Sequence, residues 1–314
     1  MSDTRQGLDG LAIQLMVVLC CIWGLQQVAI KLAAPDMAPV LQIGLRSLVA
    51  AVLVSLLMLA RRQPLALGDG TLGPGLLAGM LFALEFLFVA EGLRFTSASH
   101  MVVLLYTAPI FAALGLHLTL PSERLRRLQW LGIGLAFAGI VIAFGAGALQ
   151  QGISRGMLLG DALGLLAGLF WGLTTVAVRC TSLARAAPAK TLLYQLLCAA
   201  LLLIPLAWLG GHVDGARFTP VVWGSLLYQS VLVSFIAFLT WFWLLRRYLA
   251  SRLGVFSFMT PLFGVLFGVW LLDEGIDAFF VGGGVLVLLG ISMVSADGWW
   301  RRVLGREPAR QPLG

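Results

Sequence analysis

Ten stretches of predominantly apolar residues follow one another along the chain, each about 20 residues long, the length at which an α-helix crosses the hydrocarbon of a bilayer. They cover residues 11–33, 39–60, 71–93, 96–119, 128–147, 157–179, 189–209, 219–244, 253–272 and 276–296. Between them stand helix-ending or charged residues: Pro35-Asp36, Arg61-Arg62, Pro121-Ser122-Glu123, Gly210-Gly211 and Asp273-Glu274. These gaps leave no room for a soluble domain, so the chemistry lies within the bilayer or at its edges. Composition removes the alternative of a large soluble core. Of 314 residues 60% are hydrophobic and 11% charged, against about 25% charged in soluble domains, and a water-soluble fold of this size could not bury so much apolar surface. The expected fold is an all-α polytopic membrane protein with ten transmembrane helices. The first run, Leu11 to Ala33, has the length of a span rather than of a removable signal segment.

The net charge of +7 does not indicate a nucleic-acid partner. The 21 Lys and Arg residues stand singly or in short clusters between apolar runs and form no basic stripe. Such clusters orient a membrane protein and meet lipid headgroups. With the N-terminus inside, one face holds sixteen of them: Arg5, Arg61, Arg62, Arg124, Arg126, Arg127, Arg179, Arg185, Lys190, Arg246, Arg247, Arg252, Arg301, Arg302, Arg306 and Arg310. The other face holds four, Lys31, Arg94, Arg155 and Arg217, and Arg46 falls within the second span. The positive-inside rule then places both termini in the cytoplasm and the chain in the inner, or plasma, membrane. Cys20, Cys21, Cys180 and Cys198 lie in apolar segments without CxxC spacing and read as small buried hydrophobes. No metal or cofactor is expected.

The chain repeats itself. Trp23-Gly-Leu-Gln-Gln-Val-Ala-Ile-Lys31 returns as Trp171-Gly-Leu-Thr-Thr-Val-Ala-Val-Arg179, with five of nine residues identical. Tyr106-Thr-Ala-Pro109 matches Phe258-Met-Thr-Pro261 in proline placement, and Pro121-Ser-Glu123 matches Asp273-Glu274. The offsets of 148, 152 and 151 make the halves collinear. Each half holds five spans, and because five is odd the second must enter the membrane from the opposite face. This is an inverted repeat, a transporter architecture with the substrate site near the midplane between the halves. The expected organisation is a tail over 1–10, repeats over 11–147 and 157–296, and a basic cytoplasmic tail over 297–314.

These residues carry a family resemblance. Trp23 to Lys31, the Arg46 segment, Leu93-Arg-Phe-Thr-Ser-Ala-Ser-His-Met101, Thr107-Ala-Pro109, and Glu123 through Gln129-Trp-Leu-Gly-Ile-Gly-Leu-Ala-Phe-Ala-Gly139 resemble ten-span EamA-type members of the drug/metabolite transporter superfamily. The resemblance covers about residues 10 to 296 and recurs in both halves. It implies two bundles of five helices around a central cavity, serving export of small organic metabolites such as amino acids.

Several side chains in the spans are candidates for the site. Glu85 lies mid-span, where an ionised carboxylate costs several kcal/mol, so it must face a cavity, pair or hold a proton. A proton it can exchange would suit proton coupling; a neutral carboxyl bonded to a neighbouring helix is the structural alternative. Arg46, well inside span two, needs a partner, either Glu85 or a substrate carboxylate, unless it snorkels to the interface. Its repeat mate is Gln195. Trp23 and Trp171 are mates followed by polar pairs, Gln26 with Gln27 and Thr174 with Thr175, which line a cavity or join helices; the indoles stack on a ligand or pack the bundle. Tyr106 could reach the cavity, and Pro109 and Pro261 are candidate hinges because each removes a backbone donor mid-helix. Glu91 beside Arg94 reads as an interfacial ion pair, Asp161 as a helix-start or interface charge, His100 as structural, and Lys31 and Arg179 as surface anchors. Gly160, Gly164, Gly168 and Gly172 make a small face for close helix contact, as do Gly75/Gly79 and Gly264/Gly268, within the bundle or in a homodimer.

The expected function is secondary transport of a small-molecule substrate, export of amino-acid-like metabolites, driven by an ion, proton or substrate gradient. No GxxxxGK[ST] is present to bind ATP. Uptake or efflux of aromatic cations is the same-class alternative. A non-transporting assembly protein or an intramembrane enzyme is the alternative of another class, and for the enzyme the sequence lacks HExxH.

Overall fold

The structure is a computed structural model, and it describes residues 9–63, 68–121, 124–145, 154–248, 253, 256–257 and 259–295. Expectations resting on Arg5, Glu123, Arg252, Phe258, Arg301, Arg302, Arg306 and Arg310 lie outside the described residues, as do nearly all of both tails. Among the described residues the secondary structure is helical except for turns and an isolated bridge at Tyr248. The helices are α1 Gly10–Ala33, α2 Pro39–Ala60, α3 Leu72–Gly92, α4 Ala98–Leu105, α5 Ala108–Thr119, α6 Arg127–Ile140, α7 Arg155–Cys180, α8 Pro188–Leu209, α9 Pro220–Leu227, α10 Phe238–Arg247, α11 Met259–Leu272 and α12 Ala278–Ser295. A π-helical turn, Val141–Gly145, extends α6, and a π-helical stretch, Tyr228–Ala237, joins α9 to α10.

Local chemistry sets the ends. The Asp9 carboxylate accepts from Ala12 N at 2.8 Å to cap α1. Pro39, Pro188 and Pro220 open α2, α8 and α9, where a missing N–H costs nothing. Span four, expected as one helix over 96–119, is broken between α4 and α5. Pro109 leaves a carbonyl of the preceding turn without its donor, and the Thr107 hydroxyl donates to Leu104 O at 2.6 Å in that turn.

Seven helical stretches among the described residues are long and apolar enough to cross a membrane, counting Ala98–Thr119 and Pro220–Trp241 as single units. Arg127–Ala143, Met259–Leu272 and Ala278–Val294 are shorter apolar helices. Leu48, Val49, Val52, Leu56 and Leu59 leave 44 to 64% of their area exposed on α2, a face that lipid covers without cost but water would not.

The two halves interlock. The main helix pairings join elements from different halves: α3 with α7 and α8, α2 with α8, α1 and α4 with α11, α4 and α5 with α7, and α6 with α12. Glycine makes these approaches close. A Cβ at Gly168 would lie 2.6 Å from Thr107 Oγ1, and one at Gly172 2.6 Å from Phe111 Cβ. The glycine face of α7 is therefore used within the chain, against α4 and α5.

Candidate functional site

Arg46 on α2 and Glu85 on α3 are 2% and 4% exposed. Glu85 lies between Phe82 and Phe86, whose rings are 4.7 Å apart, and the Arg46 guanidinium lies 4.3 Å from the centre of the Phe86 ring. No hydrogen bond or ion pair joins the two side chains: Arg46 Nε, Arg46 Nη1 and Glu85 Oε2 are buried without a partner. The expected pairing of Arg46 with Glu85 is thus not made as a direct contact.

Trp23 Nε1 and Gln27 Oε1 on α1, and Thr260 Oγ1 on α11, are likewise buried and unpartnered. An unsatisfied buried polar group costs about 1–3 kcal/mol, and native proteins pair nearly all of them, with protein, water or ligand. Tyr106, at the break between α4 and α5, is 8% exposed and lies beside Thr260. Its ring meets that of Trp171 edge-on, with centroids 5.2 Å apart. Pro261 is buried next to Thr260. Helices α1, α2, α3 and α11 thus each carry buried polar groups without a partner.

Other candidates take different places. The Trp23 indole packs on Trp241 and Phe238, at 5.8 and 6.1 Å, and Gln26 is 6% exposed. Thr174 and Thr175 each donate to the carbonyl four residues earlier, Phe170 O and Trp171 O. Thr175, exposed, helps line a cavity of about 390 Å³ with Pro109, Trp171 and Gln129. Gln195 is half-buried on α8. Glu85 and Arg46 border neither this cavity nor a second one of about 420 Å³ beside Glu91 and Phe95.

Charges at the helix ends divide in the same way. Arg94 and Glu91 form the expected pair at 2.5 Å. Lys31 is no simple surface anchor, because its ammonium donates to the Thr96 carbonyl. Asp161, expected as a helix-start or interface charge, is buried on α7. It accepts from the Thr96 hydroxyl and lies 3.1 Å from His100 Nδ1, since a buried carboxylate requires partners.

Sequence reasoning missed Thr260, Phe86 and a buried amide cluster. In that cluster Gln229 Nε2 donates to Gln42 Oε1 at 3.1 Å, and Ser225 Oγ donates to Ala29 O at 2.8 Å. Isolated Gln and Ser residues mid-span were the available signal. At the α2–α3 turn, Asp69 accepts from Lys190 at 2.6 Å. That hydrogen bond, with a further one from Thr71, holds the Asp69 carboxyl down at about 2.

Comparison with known proteins agrees with this architecture. The model of the EamA-like transporter family matches residues 10–145 and 158–296. The chain is 27% identical to the "Uncharacterized transporter YoaV" of Bacillus subtilis, covering 88% of this chain and 94% of that one. It is also 27% identical to the "Probable amino-acid metabolite efflux pump" of Salmonella typhimurium, over 90% and 93% of the two chains. A solved crystal structure superposes with a TM-score of 0.63 at 21% identity, covering 94% of this chain and 99% of that one, and so shares its fold. With both halves of the described helical architecture matched by one family model, the chain belongs to the EamA-like transporter family.

Proposed function

We propose that the protein is a ten-span secondary transporter of the inner membrane, with both termini in the cytoplasm, that exports small amino-acid-like metabolites by alternating access. Residues 11–147 and 157–296 are its two inverted repeats. The observation that carries the substrate class is the pair Arg46 and Glu85: one buried cation on α2 and one buried acid on α3, each with unpartnered polar atoms. A zwitterion presents the complementary charges. Its carboxylate suits the guanidinium fork and its ammonium suits the carboxylate. Trp23, Gln27, Tyr106 and Thr260 would surround the remainder. The naming of one relative as a probable amino-acid metabolite efflux pump supports the same class. Glu85 is the group through which a proton gradient would act. Pro109 and Pro261 are the hinges.

The Tyr106–Trp171 pair favours, as a second reading, an aromatic cation held by ring faces and Glu85. Radiolabelled amino-acid flux in proteoliposomes, with and without an imposed pH gradient, decides between them. Gradient-dependent flux in the wild type that loses its gradient dependence in Glu85→Gln is the expected result. Gradient-independent flux unchanged by Glu85→Gln would make the protein a facilitator with a structural Glu85. Competition by an aromatic quaternary amine, with no amino-acid flux, would favour the second reading.

A further inference from the structure

The N-terminus of α4 is held by a carboxylate from the other half of the chain. Glu274, in the turn between α11 and α12, accepts from Ala98 N at 2.6 Å, Ser99 N at 2.9 Å and Ser99 Oγ at 2.6 Å. The Ser97 hydroxyl accepts from His100 N at 3.0 Å, so the first three N–H groups of α4 all have partners. The negative charge also complements the helix dipole, and hydrogen bonds to a carboxylate are roughly twice as strong as neutral ones.

The helices meet closely here. A Cβ at Gly268 of α11 would collide with Ser99 Oγ and the Glu274 carboxylate, and one at Gly264 would lie 2.7 Å from Val102 of α4. Other elements converge on the same end. Lys31, at the end of α1, donates to the Thr96 carbonyl and attracts Glu274. Asp161 of α7 binds the Thr96 hydroxyl, and the His100 ring stacks on Phe280 of α12 with centroids 4.7 Å apart. The sequence repeats the two parts of the central contact, Glu123 and Ala250-Ser251, at offsets of 151 and 152; both lie outside the described residues.

We propose that Glu274 is the latch of the outer gate. Bound to the α4 N-terminus, it locks α4 to α11 across the repeat boundary and closes the interior around Glu85 and Arg46 from that end. Opening to the outside requires the carboxylate to leave Ala98 and Ser99. The proposal rests on the alternating-access reading and deepens it, and Glu274 acts as a positioning residue that never touches substrate.

The test needs no substrate, so a failed flux assay and a failed latch are separate results. In the full chain with Cys20, Cys21, Cys180 and Cys198 replaced, a reporter cysteine at Gln27 is labelled by a membrane-impermeant maleimide added to intact cells. Arg217→Cys, at a side chain 71% exposed at the same end of the bundle, must label from outside. Labelling of it only after permeabilisation overturns the outer assignment. Glu274→Gln is expected to raise the labelling rate at position 27 about ten-fold, the factor that about 1.4 kcal/mol represents, with Glu274→Asp in between. An unchanged rate in folded Glu274→Gln overturns the proposal, because a helix cap alone would not control access. If Glu274→Gln does not yield folded protein, Ser99→Ala, which removes one of the three bonds, decides. A rate raised about three-fold supports the latch, and an unchanged rate overturns it.

Discussion

Arg46 is where the substrate reading is most exposed to test. A guanidinium in hydrocarbon is tolerated only when a partner or cavity compensates, and here its protein neighbour is the face of Phe86. Arg46→Gln is expected to lower amino-acid flux at least about ten-fold with the fold retained, while Arg46→Lys, which keeps the charge but loses the fork, falls between. Equal flux in all three would remove Arg46 from the site. Phe86→Leu should cost less, since a cation–π contact contributes about 0.5–2 kcal/mol. At the α2–α3 turn the prediction concerns pH. The Asp69 carboxyl is held at about 2 by Lys190, below the unfolded value of about 3.9. Its stabilisation is therefore complete above about pH 4 and lost only as pH falls through the folded value. Asp69→Asn should lower the melting temperature in detergent by the same small amount at pH 5 and pH 7. A difference that grows between those values would contradict this pairing. Glu85 and Arg46 were legible in the sequence because charge stands out against hydrocarbon. Phe86 and Thr260 were not, because Phe and Thr are ordinary residues of a span and only their neighbours set them apart.

Between helices, glycine decides how close two axes come. Gly168→Ala places a methyl 2.6 Å from Thr107 Oγ1 and 2.9 Å from Leu104 O. Overpacking of this kind costs about 1–3 kcal/mol. Gly134→Ala, on α6 with nothing within 4 Å, should be neutral or slightly stabilising through helix propensity. Thermal melting of the two purified variants makes the comparison, and equal melting points would show that α7 does not depend on its glycine face. The break at Pro109 belongs to this scale as well. Pro109→Ala restores a backbone donor and should slow transport while leaving substrate affinity within about two-fold, if the break is a hinge that gates conformational exchange. The repeat spacing foretold a bend at this proline. It could not foretell that span four would divide into two helices, since that depends on how the backbone groups around Pro109 find partners in the folded bundle.

At the scale of the whole molecule, the resemblance implied two five-helix bundles around a cavity, and the structure interlocks them. Because α3 packs on α7 and α8, α1 on α11, and α6 on α12, each half leaves the apolar and glycine faces of its helices unmatched when alone. Residues 1–150 expressed by themselves should aggregate or be degraded, and co-expression with residues 151–314 should recover folded, membrane-inserted protein. A stable, monodisperse first half would show that the repeats are independent domains. Orientation is tested separately by reporter fusions after Arg61-Arg62 and after Arg217, which should report opposite faces.

The sequence alone determined the class, the repeat and the membership of both halves in one family. These depend on hydropathy over windows of about 20 residues and on local motifs, which are one-dimensional quantities. It also marked Glu85 and Arg46 as residues that hydrocarbon will not tolerate unaided. Only the tertiary structure decided which helices face each other and that Arg46 lies on Phe86 without bonding Glu85. The same holds for Glu274, which sits 176 residues along the chain from the Ala98 N–H it accepts from. Contacts at such separation are set by the close approach of glycine faces and by the need to satisfy buried polar groups, and neither can be read from any single stretch of the chain.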